Sequence, residues 1–170
     1  MPVATLVELV NGWGSVPRAS AGARARPPLR EFTERHAVQV GTAAVTAAAL
    51  ERTADDAYEV FAADDAAERA RLVSDLLSRA GVRPALRVDG DGLRPAWLVP
   101  RPDDALPAAV AVALHAQLVR HGPERLGTCG ASGCGDVFVD ASPGAHRRFC
   151  SITCQNRERV AAFRRRRSSG

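Results

Sequence analysis

Four cysteines fall within 26 residues: Cys129, Cys134, Cys150 and Cys154, spaced C-x4-C-x15-C-x3-C, and the chain has no others. Two close pairs joined by a longer loop can converge on one point, which a tetrahedral metal ion with four thiolate ligands requires. Neither pair has the two-residue gap of a thioredoxin-type redox motif. A disulfide framework is the competing reading, and it conflicts with the cytoplasmic address suggested elsewhere in the chain. The first ten residues, MPVATLVELV, lack a basic segment and carry Glu8, unlike a signal peptide. The longest apolar run, 105–114, is too short for a bilayer and contains Pro107. The spacing therefore predicts a structural site for one Zn²⁺ held by all four cysteines, with His146 as the substitute ligand.

The segments between the pairs have their own patterns. CGASGC can form a metal knuckle, DVFVD alternates like a strand, ASPGA reads as a turn and HRRFC as a returning strand. The second pair then opens a helix, with Cys154 in its first turn. Knuckle, hairpin, helix is the order of a treble-clef zinc module. About 45 residues bury too little apolar surface to fold alone, so the metal is expected to supply most of the folding energy. Four thiolates on Zn²⁺ carry a formal charge near −2, and Arg147, Arg148 and Arg157 are close enough in sequence to offset it. At about 100° per residue, Ile152, Asn156, Val160 and Phe163 share one helix face, expected to pack on the hairpin. Arg157 and Arg164 lie along one edge of that face, Arg159 and Arg166 along the other, and Arg165 and Arg167 extend the charge. Capping the helix dipole does not need four consecutive arginines. Contacts to phosphate explain them better.

Charge is divided unevenly along the chain. Residues 1–125 hold 15 Arg against 16 Asp and Glu, a net of −1, whereas 126–170 hold 8 Arg against 3, a net of +5. The chain has no lysine, so arginine usage by itself carries no message. The concentration at one end does, because it points to an anionic partner.

The first 125 residues read as mostly helical. ATLVELV forms a short helix that Asn11–Gly12 can close. A mobile loop follows, with Arg18, Arg24 and Arg26 along it, and then a second short helix over 29–38. From about 42 to 63, Leu50, Ala54, Ala57 and Phe61 recur at helical spacing. Asp64 or Asp65 caps a further helix ending at Gly81. Two short apolar runs around Asp-Gly-Asp-Gly predict a β-hairpin over about 84–99; a calcium loop would need more ligands than follow. The 104–122 segment is apolar nearly all round and is expected to form a helix buried against that hairpin, with His115 packed or hydrogen-bonded. No serine–histidine–acid set, phosphate-cradling glycine loop or carboxylate pair appears in this part, so an enzyme is not expected.

The C-terminal motif, C-x4-C-G-D-V-F-V-D-A-S followed by R-R-F-C-S-I-T-C-Q-N-R-E-R-V-A-A-F-R-R-R, resembles the CGNR zinc finger of bacterial proteins over about 126–167. Those proteins carry an N-terminal α/β region, the ABATE domain, and are classed with stress-induced transcriptional regulators. LVELVN near the start, the helical middle, the hairpin and the helix before Cys129 are similar to that region. The resemblance implies zinc at Cys129, Cys134, Cys150 and Cys154 and DNA as partner. Asn156 and Arg157 take the motif's Asn-Arg positions, while Gln155 replaces its glycine, which puts the mode of partner contact in question. Asp140 and Ser142 match its Asp-x-Ser and are expected to organise the hairpin turn.

The expected architecture is α+β: a mainly helical α/β domain with a hairpin over 1–125, then a treble-clef-like zinc module over 126–170. The leading functional expectation is a DNA-binding regulator contacting DNA through Asn156, Arg157, Arg159, Arg164, Arg165, Arg166 and Arg167. The N-terminal part then senses a small-molecule effector or mediates homodimerisation, and the Arg18–Arg30 loop can assist. The alternatives are an RNA-binding module and a zinc-dependent protein-interaction adaptor. Against RNA, Phe138, Phe149 and Phe163 are all expected in the core, leaving little surface for base stacking.

Overall fold

The computed structural model describes residues 1–20, 25–36 and 45–168, with the Ser168 side chain excepted. Helix α1 (Val3–Trp13) buries Leu6, Leu9, Val10 and Trp13 along one stripe. It runs past the Asn11–Gly12 stop and ends at Gly14, where a Cβ would stand 2.7 Å from the Val10 carbonyl oxygen. The expected loop begins instead with a short helix, α2 (Ser15–Ala19). Arg18 and Arg26 both pair with Glu51, and Arg26 also lies over the Trp13 ring at 5.1 Å. Arg24 lies outside the described residues. Helix α3 (Leu29–Arg35) docks through Phe32 and through His36, whose ring contacts Thr5 Oγ1 at 3.4 Å and Glu8 Oε2 at 3.2 Å.

Helix α4 (Ala47–Ala62) buries Leu50, Ala54, Ala57 and Phe61, the residues whose spacing predicted it. The first residues of the expected 42–63 segment lie outside the described ones, and Thr46 caps the helix by accepting from the Ala49 N–H at 3.1 Å. Asp65 caps α5 (Ala66–Arg79) through the Glu68 N–H at 2.8 Å, and Gly81 leaves it in the left-handed region at φ +60°. The predicted hairpin pairs β1 (Arg83–Asp89) with β2 (Gly92–Leu98) in antiparallel register. Helix α6 (Ala105–His121) is the central helix of the body, but its packing partners are α1, α4 and α5. The hairpin stands off it across an open groove of about 670 Å³ floored by Ala105, Ala108 and Val112. The small side chains on that side of α6 give the hairpin little to grip. His115 is exposed, contrary to expectation, because the stripes facing α4 and α5 are filled by Leu106, Val110, Ala113 and Leu114.

The chain then enters β3 (Leu126–Thr128), which pairs antiparallel with β4 (Val137–Val139), and ends in α7 (Ile152–Ser168). Leu126 and Val137 belong to the same core as α1, α4 and α6. Polar groups stitch the same seam. Asn11 donates its amide to the Val137 carbonyl at 3.0 Å and accepts the Val137 N–H at 2.7 Å, completing the open edge of β4 as another strand would. Arg69 reaches the carbonyls of Val60 and Phe61 at the end of α4 and those of Pro123 and Leu126 at the start of β3. Mixed helix and strand with a small C-terminal cysteine module is thus the observed class. Among the described residues no helix is long and apolar enough to cross a membrane.

Candidate metal centre

The backbone brings the two cysteine pairs together from three directions. Cys129 follows β3, its N–H bonded to the Asp136 carbonyl at 2.8 Å; Cys134 closes the knuckle by donating to the Ala131 carbonyl at 3.0 Å. Gly133 supplies the left-handed turn (φ +67°) between them. Gly135 sits so close to α2 that a Cβ would stand 2.8 Å from the Val16 carbonyl oxygen, so a side chain there would push the knuckle off the body. Cys150 ends the returning segment and Cys154 lies in the first turn of α7, where the Ser151 hydroxyl caps its N–H at 3.2 Å.

All four sulfurs lie within 4.8 Å of one another. Cys150–Cys154, Cys134–Cys154 and Cys134–Cys150 are 3.5, 3.7 and 3.8 Å apart, and none is disulfide-bonded. A tetrahedron of sulfurs at about 2.3 Å from zinc has edges of about 3.8 Å. The donor set and its spacing therefore fit a zinc ion held entirely by thiolates. Cys129 and Cys154 are buried and the other two half-buried. Burial pushes the Cys134 and Cys150 thiols up from the ordinary cysteine value. Such thiols lose their protons to a cation, not to water at neutral pH. Arg157 points its guanidinium at Cys154 Sγ, 3.7 Å away, offsetting thiolate charge as its sequence position suggested. Arg147 does not: its guanidinium bonds the carbonyls of Val139, Phe149 and Cys150. Arg148 lies over the Phe149 ring.

The returning segment differs from its expected form. HRRFC is not a strand, and the partner of β4 is β3, which precedes the knuckle. Side chains take over the ladder's role. Asp140 accepts the Ser142 N–H at 2.8 Å and the Arg147 N–H at 2.7 Å, and the Arg148 carbonyl accepts the Gly130 N–H at 2.8 Å. The Ser142 hydrogen bond holds the Asp140 carboxyl down to about 2, and the Arg147 N–H adds to it. Asp140 and Ser142 thus organise this turn.

Helix α7 is rotated away from its expected orientation. Ile152, Val160 and Phe163 are 75, 50 and 55% exposed, and Asn156 is exposed with them. The inward side carries Cys154, Glu158, Ala161 and Ala162, on the opposite side of the helix at about 100° per residue. The reason is coordination geometry: Cys154 must face the other sulfurs, and that fixes the rotation regardless of where the apolar stripe falls. Glu158 reinforces it by accepting the Ser132 N–H at 2.7 Å, a bond that lowers its pKa. Arg159, Arg164, Arg165, Arg166 and Arg167 are all exposed, with Arg165 on the Cys154 side of the helix and Arg167 over the Phe163 ring. Of the phenylalanines expected in the core, Phe138 is buried, Phe149 half-buried and Phe163 exposed.

Sequence reasoning overlooked Ser151, although a serine three residues before a first-turn residue is a readable N-cap signal. Glu158, Asn11 and Arg69 left no such signal, since each acts on backbone groups distant in sequence.

Residues 125–167, about the last quarter of the chain, match the CGNR zinc finger. No curated protein matches the chain.

Proposed function

We propose that the chain is a DNA-binding regulator in which one structural zinc ion, held by Cys129, Cys134, Cys150 and Cys154, fixes α7 as a basic helix for duplex DNA. The observation that carries this reading is the outward face of α7, where Arg159 and Arg166 on one edge and Arg164 on the other flank Ile152, Asn156, Val160 and Phe163. Arginines suit phosphates and guanine edges, Asn156 suits adenine, and apolar side chains suit thymine methyl groups. Arg157, turned to Cys154, supports the metal as well as any contact of its own. Four thiolates leave zinc no open position for a water, so the reading is of a structural and not a hydrolytic metal. The N-terminal body, similar to an ABATE domain, would carry effector sensing or dimerisation. Little help is expected from the 18–30 segment, where Arg18 and Arg26 pair with Glu51 and Arg30 with Glu34.

The exposed Phe163 ring gives RNA one stacking surface, so RNA remains the second reading. The test is selection of bound fragments from a random duplex pool with RNA competitor, beside a salt titration of wild type and a variant with Arg164, Arg165, Arg166 and Arg167 changed to alanine. The expected result is enrichment that survives RNA and a log–log salt slope flattened by roughly 2 to 4 in the variant, at about 0.9 per phosphate contact. Loss of binding to RNA competitor would select the RNA reading. Salt-insensitive behaviour with no nucleic acid bound would select a protein adaptor.

A further inference from the structure

Arginines are used differently in the two parts of the chain. In the body, Arg18, Arg26, Arg35, Arg71, Arg79 and Arg101 each pair with a carboxylate. Arg148, Arg159 and Arg166 have no carboxylate partner among the described residues. The acids nearest them in sequence are engaged elsewhere: Asp140 accepts the Ser142 and Arg147 N–H groups, and Glu158 accepts the Ser132 N–H. Guanidinium groups left unopposed on one surface are available to an anion.

The three arginines follow one track. Gln155, Arg159 and Arg166 fall within about 40° of one another at about 100° per residue, so Gln155 starts the edge that the two arginines continue. Just before it, a cleft of about 320 Å³ is lined by His146, Arg148 and Phe149 of the returning segment and by Ile152 and Gln155 of α7. His146, Arg148 and Gln155 are exposed there. The returning segment is not a loose arm. Asp140 holds the Arg147 N–H, Gly130 donates to the Arg148 carbonyl, and the Arg147 guanidinium is turned onto the carbonyls of Val139 and Phe149. The Arg148 side chain leaves that fixed backbone across the Phe149 ring, 5.9 Å from its centroid. A guanidinium backed by a ring has fewer orientations to lose on binding.

We propose that Arg148, His146 and Gln155 form a seat for one backbone phosphate of duplex DNA at the start of α7, separate from the arginine run at its end. The seat rests on the DNA-binding reading and extends it. Gln155 and Arg166 are eleven residues apart, about 16 Å along the helix, so the face holding Ile152, Asn156, Val160 and Phe163 is bracketed by an anchor at each end. Two anchors fix which way α7 points on the duplex, which a single basic end does not. Arg148 supplies the charge, and the His146 ring and Gln155 amide add hydrogen-bond donors. Gln155 thus belongs to the contact edge and crowds nothing in the fold.

The experiment measures binding of the full-length, zinc-loaded chain to a labelled random-sequence duplex by fluorescence anisotropy over a salt series, with zinc content and thermal melting as controls for the fold of each variant. Arg148→Ala should weaken binding roughly tenfold and flatten the log–log salt slope by about 0.9, the value of one phosphate contact, while Arg148→Lys keeps the slope. Gln155→Ala should weaken binding roughly threefold and leave the slope unchanged, because the amide carries no charge. The two together should lose less than the product of the single losses, since both hold one phosphate. Arg87→Ala removes the same charge from the hairpin and should change neither affinity nor slope. An equal loss in Arg87→Ala would assign the Arg148 effect to net charge and overturn the seat. Independent losses at Arg148 and Gln155 would overturn it as a shared seat. Wild-type binding that Arg148→Ala leaves unchanged overturns the seat and leaves the DNA-binding reading standing, whereas a wild-type chain that binds no duplex overturns both.

Discussion

The two ends of this chain reach a fixed shape by different physics. The helical body is held by burial: Leu6, Leu9, Val10, Leu50, Val60, Phe61, Val110 and Leu114 are all at or near zero exposure. The cysteine module has its own buried cluster of only Cys129, Ala131 and Cys154, two of which are candidate ligands. Its remaining order comes from polar groups such as Asp140, Arg147 and Glu158 that satisfy backbone donors and acceptors. The body is therefore tolerant of local detail as long as volume is kept, whereas the module is rigid only while its directional bonds are intact. That contrast also suits the proposed division of labour, since a surface helix must be aimed before it can bind.

Removing the metal is the most drastic way to break the comparison. Chelation, or Cys150→Ser, should unfold the module, because structural zinc contributes on the order of 10 kcal/mol. The circular dichroism of α1 to α6 should survive, with the loss confined to about what α7 supplies. Retention of one equivalent of zinc at native affinity by Cys150→Ser would remove the four-cysteine site, and collapse of the whole helical signal would show that body and module fold as one.

The seam gives a smaller and sharper test. Arg69→Ala removes a guanidinium from four carbonyls and should destabilise the chain by about 2 to 4 kcal/mol, measured by urea unfolding. If Arg69 couples the two regions, module and body should also separate into two transitions. A single unshifted transition would mean that Leu126 and Val137 alone carry the coupling.

The smallest effect concerns acid. The Asp140 carboxyl is held near 2, below its ordinary value of 3.8, so its contribution is fully present above about pH 4 and is lost only as pH falls through 2. Its carboxyl carbon signal should stay flat from about pH 7 to about pH 4 while exposed carboxyls begin to titrate. The first acid event in the module is then proton competition for the thiolates. A signal that moves near pH 4 would mean that the Ser142 and Arg147 bonds do not hold in solution.

The legibility of these parts in the sequence follows their range. Helical spacing located α4 and α5, and Asp65 was readable as a cap, because all three are properties of a few consecutive residues. The Asp-Gly-Asp-Gly turn located the hairpin on the same basis. The cysteine spacing announced a four-ligand site because a tetrahedral ion constrains ligand type and count without reference to the rest of the fold. Periodicity also identified the stripe of Ile152, Val160 and Phe163 correctly as a stripe. It could not say which way the stripe faces.

That choice belonged to the tertiary structure. Cys154 has to meet three sulfurs delivered by other segments, and one such requirement outweighs the burial of three apolar side chains. The partner of β4, the Asn11 bonds to Val137, the reach of Arg69 and the stand-off of the hairpin from α6 are of the same kind. Each joins residues far apart in sequence, and the pairing of distant groups is set by how the elements pack. The sequence alone determined which helices form, where the hairpin turns and that four cysteines can share a metal; only the packed chain decided which faces meet, because periodicity specifies a face and never its partner.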